Sequence, residues 1–112
     1  MTTCLPHSDD AILDVRKIED YCLNPSHPRG RHKARVFREA LDIQRNDASW
    51  LRNALLHAAR TGEAVVVGED AWGTHWRLDA TIARQTKSAV VRTIWIVRTG
   101  ERVPRFVTCW VL

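Results

Sequence analysis

The sequence predicts an α+β domain: two or three helices come first, about four antiparallel strands follow, and the helices pack on one face of the sheet. Three observations predict it. Apolar residues recur at helical spacing as far as about residue 60, the period changes to two beyond Gly62, and the later runs are joined by short turns. A chain of 112 residues, 45% hydrophobic and 27% charged, fits one globular domain spanning residues 1–112.

Each element has its own warrant. Residues 1–8 show no periodicity and hold Pro6, so they read as a flexible arm. Ala11, Leu13 and Val15 alternate, which suits a short strand, and Ile18, Tyr21, Cys22 and Leu23 suit a short helix that stops at Asn24-Pro25. In residues 24–30, Pro25 and Pro28 fix φ, and Gly30 admits a backbone geometry that other residues resist. A helix follows over residues 31–41, with Ala34, Val36, Phe37, Ala40 and Leu41 on one stripe. Residues 42–45 form a link. Asn46, Asp47 and Ser49 offer caps for a second helix, on which Trp50, Leu51, Ala54, Leu55 and Ala58 form the apolar stripe, His57 stands at its edge and Thr61-Gly62 is the stop. The strands are expected at residues 64–67, at 74–80 with Trp76 and Leu78 on one face and His75, Arg77 and Asp79 on the other, at 89–97 with apolar residues on both faces, and at 103–112. Residues 68–73, 83–87 and Gly100-Glu101 are their connections, and Pro104 marks a sheet edge or strand end. One face of such a sheet is left free for a ligand.

Charge directs attention to the first turn and helix. The net charge of +4 and a pI near 9.4 favour an acidic partner. Five basic residues, Arg29, Arg31, Lys33, Arg35 and Arg38, occupy residues 24–38 without one acid. Residues 9–20, with Asp9, Asp10, Asp14, Glu19 and Asp20, lie next in sequence and are placed to neutralise part of that charge. Lys33 falls near the middle of the helix's apolar stripe, so it either snorkels outward or holds a charge at a site. His27 stands just ahead of the helix, whose first N–H groups suit phosphate.

Other chemistries lack their signatures. Cys4, Cys22 and Cys109 make no zinc spacing and no disulfide framework, so buried thiols in a reducing compartment are expected for Cys22 and Cys109. No metal or cofactor is expected. No apolar run approaches the ~20 residues of a membrane span and no signal-peptide pattern opens the chain, which points to a cytoplasmic protein without membrane contact.

The string Tyr21-Cys22-Leu23-Asn24-Pro25-x-His27-Pro28-x-Gly30-x-x-Lys33-Ala34-x-x-Phe37, followed by Val91-Arg92-Thr93-Ile94-Trp95, resembles a bacterial family catalogued as a domain of unknown function. Its members occur free-standing and at the C-termini of polymorphic toxins. Cys22 stands where that pattern expects an aliphatic residue. The order of helices and strands also looks like the barnase/EndoU/colicin/RelE class of metal-independent ribonucleases, a likeness of fold alone.

What the resemblance implies is a small toxin domain that cuts RNA by attack of the 2′-OH on the adjacent phosphate. It would put His27 and Lys33 at the phosphate, with Arg92 or Thr93 answering from the sheet. That reaction needs a base for the hydroxyl, cations for the developing charge and an acid for the leaving oxygen. His27 is the first candidate for proton transfer, with His75 behind it. Lys33 and Arg92 would stabilise charge, Thr93 would bond a phosphate oxygen, Arg29, Arg31 and Arg35 would track the backbone, and Trp95 would stack a base. The expected partners are RNA and an acidic antitoxin or immunity protein. Two other readings stay open: a non-catalytic nucleic-acid-binding module, and an interaction protein whose basic helix docks an acidic partner.

Overall fold

The computed structural model describes residues 3–112. Three helices precede a four-stranded antiparallel sheet, in the order expected. Helix α1 is one turn, Val15–Lys17, and runs straight into a π-helical turn, Ile18–Cys22. Helix α2 spans Arg31–Leu41 and α3 spans Ala48–Thr61. Strands β1 (Ala64–Asp70), β2 (Gly73–Arg84), β3 (Lys87–Arg98) and β4 (Arg105–Val111) form a meander in the order β1-β2-β3-β4.

Helix α2 has the bounds its stripe predicts. Ala34, Phe37 and Leu41 are its buried face, and Asp42 ends it in the left-handed region (φ 54°), returning its N–H to the Arg38 carbonyl. On α3, Leu51, Leu55 and Ala58 are buried as the stripe requires, whereas Trp50 is turned out at the rim. Asp47 does not cap α3. Its carboxylate bonds back to the Gln44 N–H at 2.9 Å and pairs with Arg84 at 3.0 Å, tying the loop ahead of α3 to the far end of β2.

The core lies between the helices and one face of the sheet. Leu78, Val91, Trp95, Phe106 and Cys109 meet Phe37, Leu41, Leu51 and Leu55 there. Pairing Trp95 with Phe106 but Ile94 with Thr108 leaves Val107 as an extra residue in β4, so Phe106 and Cys109, three apart, both face inward. The central strand departs from the expectation of apolar packing on both faces: Val91, Thr93 and Trp95 are buried, whereas Val90, Arg92 and Ile94 line the open face. β1 also runs three residues past its expected end, through a bulge at Val67.

The leading segment differs from a free arm. Thr3 accepts the Ala64 N–H at 2.8 Å, Cys4 bridges Glu63, and Leu5 is buried in the core; Met1 and Thr2 lie outside the described residues. A single buried leucine leaves no trace as periodicity. Likewise the strand expected around Leu13 reduces to one bridge, Ile12 beside Arg105 on the outer edge of β4.

Two ion pairs give the fold an acid limit. The hydrogen-bonded guanidinium of Arg84 holds Asp47, and that of Arg92 holds Asp79, below the usual carboxylate range. A carboxyl whose folded pKa is depressed contributes stability that is complete above its unfolded value, about 4, and lost as pH falls through the folded one. Urea midpoints should therefore hold near pH 5 and fall below about pH 4, and the double variant Asp47→Asn, Asp79→Asn should flatten that fall.

Candidate functional site

The turn ahead of α2 is held by His27. Its Nδ1 accepts the N–H of Arg29 at 3.0 Å and of Gly30 at 2.9 Å, and its carbonyl accepts the N–H of Arg31. The N–H groups of Arg29 and Gly30 in the turn, and that of Arg31 at the helix's first position, are therefore spent on this histidine. With Nδ1 receiving two N–H groups, the ring proton of neutral His27 belongs on Nε2. The turn thus uses Nδ1 structurally, and the proton-transfer role expected of His27 would have to run through Nε2 alone.

Gly30 is needed for proximity. Its φ is −87°, open to any residue, but a Cβ there would stand 2.1 Å from the Tyr21 carbonyl oxygen. This approach seats the proline-rich turn on the π-helical turn and packs the His27 ring edge-on against Tyr21, with centroids 4.7 Å apart.

Lys33 reaches the same tyrosine. Its ammonium lies 4.8 Å from the Tyr21 ring centre and 5.1 Å from that of Trp110, and donates to Thr108 Oγ1 at 3.0 Å. No carboxylate pairs with it among the described residues. Lys33 leaves the apolar stripe of α2 by crossing the edge of β4 towards Thr108 and Trp110, which alternate with buried Cys109. Beneath it, Cys22 Sγ lies 3.9 Å from Thr108 Oγ1. The contact with Cys22, then burial, pushes the Cys109 thiol well above its ordinary range, so it stays neutral and inert.

A shallow pocket of about 400 Å³ opens beside the lysine, lined by His32, Lys33, Val36, Trp110 and Val111. Across the ridge of α2, a groove of about 470 Å³ also includes His32 and carries Arg31, Arg35, Arg38 and Arg45 over a floor of Leu23, Ala34 and Ile43. The acidic stretch does not neutralise these arginines as a group. Asp14 pairs with Arg16 and Asp20 with Arg45, leaving Arg31, Arg35 and Arg38 without an acid among the described residues. Arg29 is exposed on the turn.

The sheet contributes differently from the expectation. Arg92 is on the open face as the cross-strand neighbour of Trp110, but its guanidinium is clamped to Asp79 by two 2.9 Å bonds. Thr93 and Trp95 are corrections, because both are fully buried. Thr93 Oγ1 donates to the Leu78 carbonyl at 2.6 Å and accepts the Trp95 indole N–H at 2.9 Å. Neither is offered to a substrate. Thr93→Val should cost about 1–3 kcal/mol by orphaning the Trp95 N–H, read as a lower urea midpoint at unchanged slope. His75 pairs with Asp70 at 3.0 Å near the β1–β2 hairpin, two strands from β4. The residues that sequence reasoning passes over are Tyr21, Thr108 and Trp110. Tyr21 lies inside the string that carries the family resemblance; the bulge at Val107 hides the other two by breaking the alternation of β4.

Among the described residues no helix is long and apolar enough to cross a membrane, and no three His, Cys, Asp or Glu side chains gather as a metal set. No curated protein and no solved structure matches the chain. The family model for the domain of unknown function DUF6883 matches residues 4–112, and the chain belongs to that family.

Proposed function

We propose that this domain binds single-stranded RNA and cleaves it without a metal, the 2′-oxygen attacking its neighbouring phosphorus while the 5′ oxygen leaves. The observation that supports this reading above others is Lys33, a half-buried ammonium with no carboxylate partner among the described residues, held between two aromatic rings and a hydroxyl. A cation set in this way favours an anionic guest. In the proposal the scissile phosphate sits at Lys33, the Nε2–H of His27 donates to one of its oxygens, and Trp110, in place of the buried Trp95, stacks a base. Tyr21, whose ring both His27 and Lys33 touch, would supply a hydroxyl for proton exchange. Arg31, Arg35 and Arg38 hold the flanking backbone. Acting on cellular RNA, the domain would inhibit growth, and an acidic protein covering those arginines would silence it.

The two backbone bonds to His27 Nδ1 favour a second reading, a module that binds RNA without cutting it. A labelled single-stranded RNA and its all-deoxy counterpart separate the two. Cleavage of the RNA alone, leaving a 2′,3′-cyclic phosphate, supports the nuclease. Binding of both without cleavage supports the module, and indifference to both at low salt overturns the proposal. In either binding reading, Arg31→Gln with Arg35→Gln should reduce the slope of log K against log salt by about one for each phosphate that is no longer neutralised.

A further inference from the structure

β2 is longer than the strand beside it. Its residues from Gly73 to Leu78 pair with β1, but the ladder with β1 ends at Ala64 opposite Leu78, while β2 continues to Arg84. Beyond Leu78 the chain on that side turns away through Gly62 into α3, and among the described residues no strand lies beside the rest of β2, which is an open edge.

The direction of the backbone groups along this edge follows from two independent bonds. Ala64 gives its N–H outward to Thr3, so Ala64 and Leu78 form a pair that does not exchange backbone bonds. On the other side, Leu112 donates to the Val90 carbonyl, so Val90 turns its polar groups to the β4 side and away from its partner Thr81. Both place the N–H and C=O of Thr81, and by alternation those of Ala83, on the open edge. Thr81 and Ala83 are exposed.

Next to these groups is a groove of about 450 Å³, walled by Trp50, Ala54, His57 and Ala58 of α3 on one side and residues 79–83 of β2 on the other. Its charges are already paired: Asp79 is clamped by Arg92 and Arg84 by Asp47, with the Arg84 guanidinium 5.0 Å from the Trp50 ring centre. The rest of the lining sets the small Ala54, Ala58, Ala80 and Ala83 among the larger Trp50, His57 and Ile82.

We propose that this slot receives an extended segment of another protein, about four residues long, with small uncharged side chains, which adds to β2 as a strand in line with β1. Unpaired donors and acceptors at strand spacing select an extended backbone, and a groove of about 450 Å³ walled in part by Trp50, His57 and Ile82 leaves room only for small side chains. The slot is closed at one end by the α3–β1 junction at Thr61 and Gly62, so it suits a lone strand and not the edge of a second folded sheet. It is walled by α3 and β2, and the proposal does not depend on the RNA reading.

The test uses the full chain and a displayed library of ten-residue peptides. Selected peptides should bind the wild type, protect the amides of Thr81 and Ala83 from hydrogen exchange, and lose at least tenfold in affinity with Thr81→Pro, which removes one edge donor, and with Ala54→Leu, which narrows the groove. Thermal midpoints of the free variants establish that they fold, and Lys33→Ala should bind the same peptides unchanged. Four results overturn the proposal: no peptide selected, binding indifferent to both variants, amides of Thr81 and Ala83 already protected in dilute free protein, or protection that appears only as the protein dimerises.

Discussion

Lys33→Met is expected to abolish RNA cleavage, lowering it by ~10²-fold or more, while leaving the fold as stable as before or more so. The two effects have one cause. This half-buried ammonium, with no carboxylate partner among the described residues, loses hydration that the Thr108 hydroxyl and two ring faces only partly replace. A methionine of similar length keeps the packing and removes that cost, for a gain of up to about 1 kcal/mol, and Thr108 keeps its contact with Cys22. Urea denaturation and cleavage of a labelled RNA, run on the same preparation, check both halves. Lower stability together with retained cleavage would make Lys33 a structural residue. Tyr21→Phe belongs beside it, since it keeps the ring on which His27 and Lys33 converge and removes only the hydroxyl.

Gly30→Ala should produce a large loss of stability for the addition of a single methyl. The added Cβ meets the Tyr21 carbonyl oxygen at 2.1 Å and its carbon at 2.9 Å, and both sides of that contact are backbone. No rotamer relieves it, so the proline-rich turn must lift from the π-helical turn. A cost of about 2–4 kcal/mol is expected, near the upper range for overpacking, with a fall in thermal midpoint of roughly 4 °C for each kcal/mol. The same displacement would separate His27 from Tyr21. A fully folded Gly30→Ala protein with wild-type stability would refute the close approach.

The fold was legible where burial is periodic. The stripe of α2 and the change of period after Gly62 are direct records of which side chains face the core. Leu5 and the Thr3–Ala64 bond were not legible, because a segment that contributes one buried residue has no period to read. The site divides along similar lines. Lys33 announced itself as a cation on an apolar stripe, and the string from Tyr21 to Phe37 does fold on itself. Thr93 and Trp95 misled because an apolar strand interrupted by one threonine looks the same whether that threonine serves a ligand or, as here, the indole two residues away. Gly30 misled in another way, since sequence shows a missing side chain but not whether torsion or proximity requires it.

Val107 shows what an inconspicuous position can govern. Its side chain lines neither pocket beside α2, sits exposed at 38%, and should tolerate many side chains. Yet it is the uncounted step in β4, and a deletion scan should find it less dispensable than any loop residue nearby. Shortening the strand there by one residue would send either Phe106 outward or Thr108 and Trp110 inward, and Lys33 would be left facing the wrong side of its neighbour. What the chain must keep at that point is a number of residues, whatever their identity.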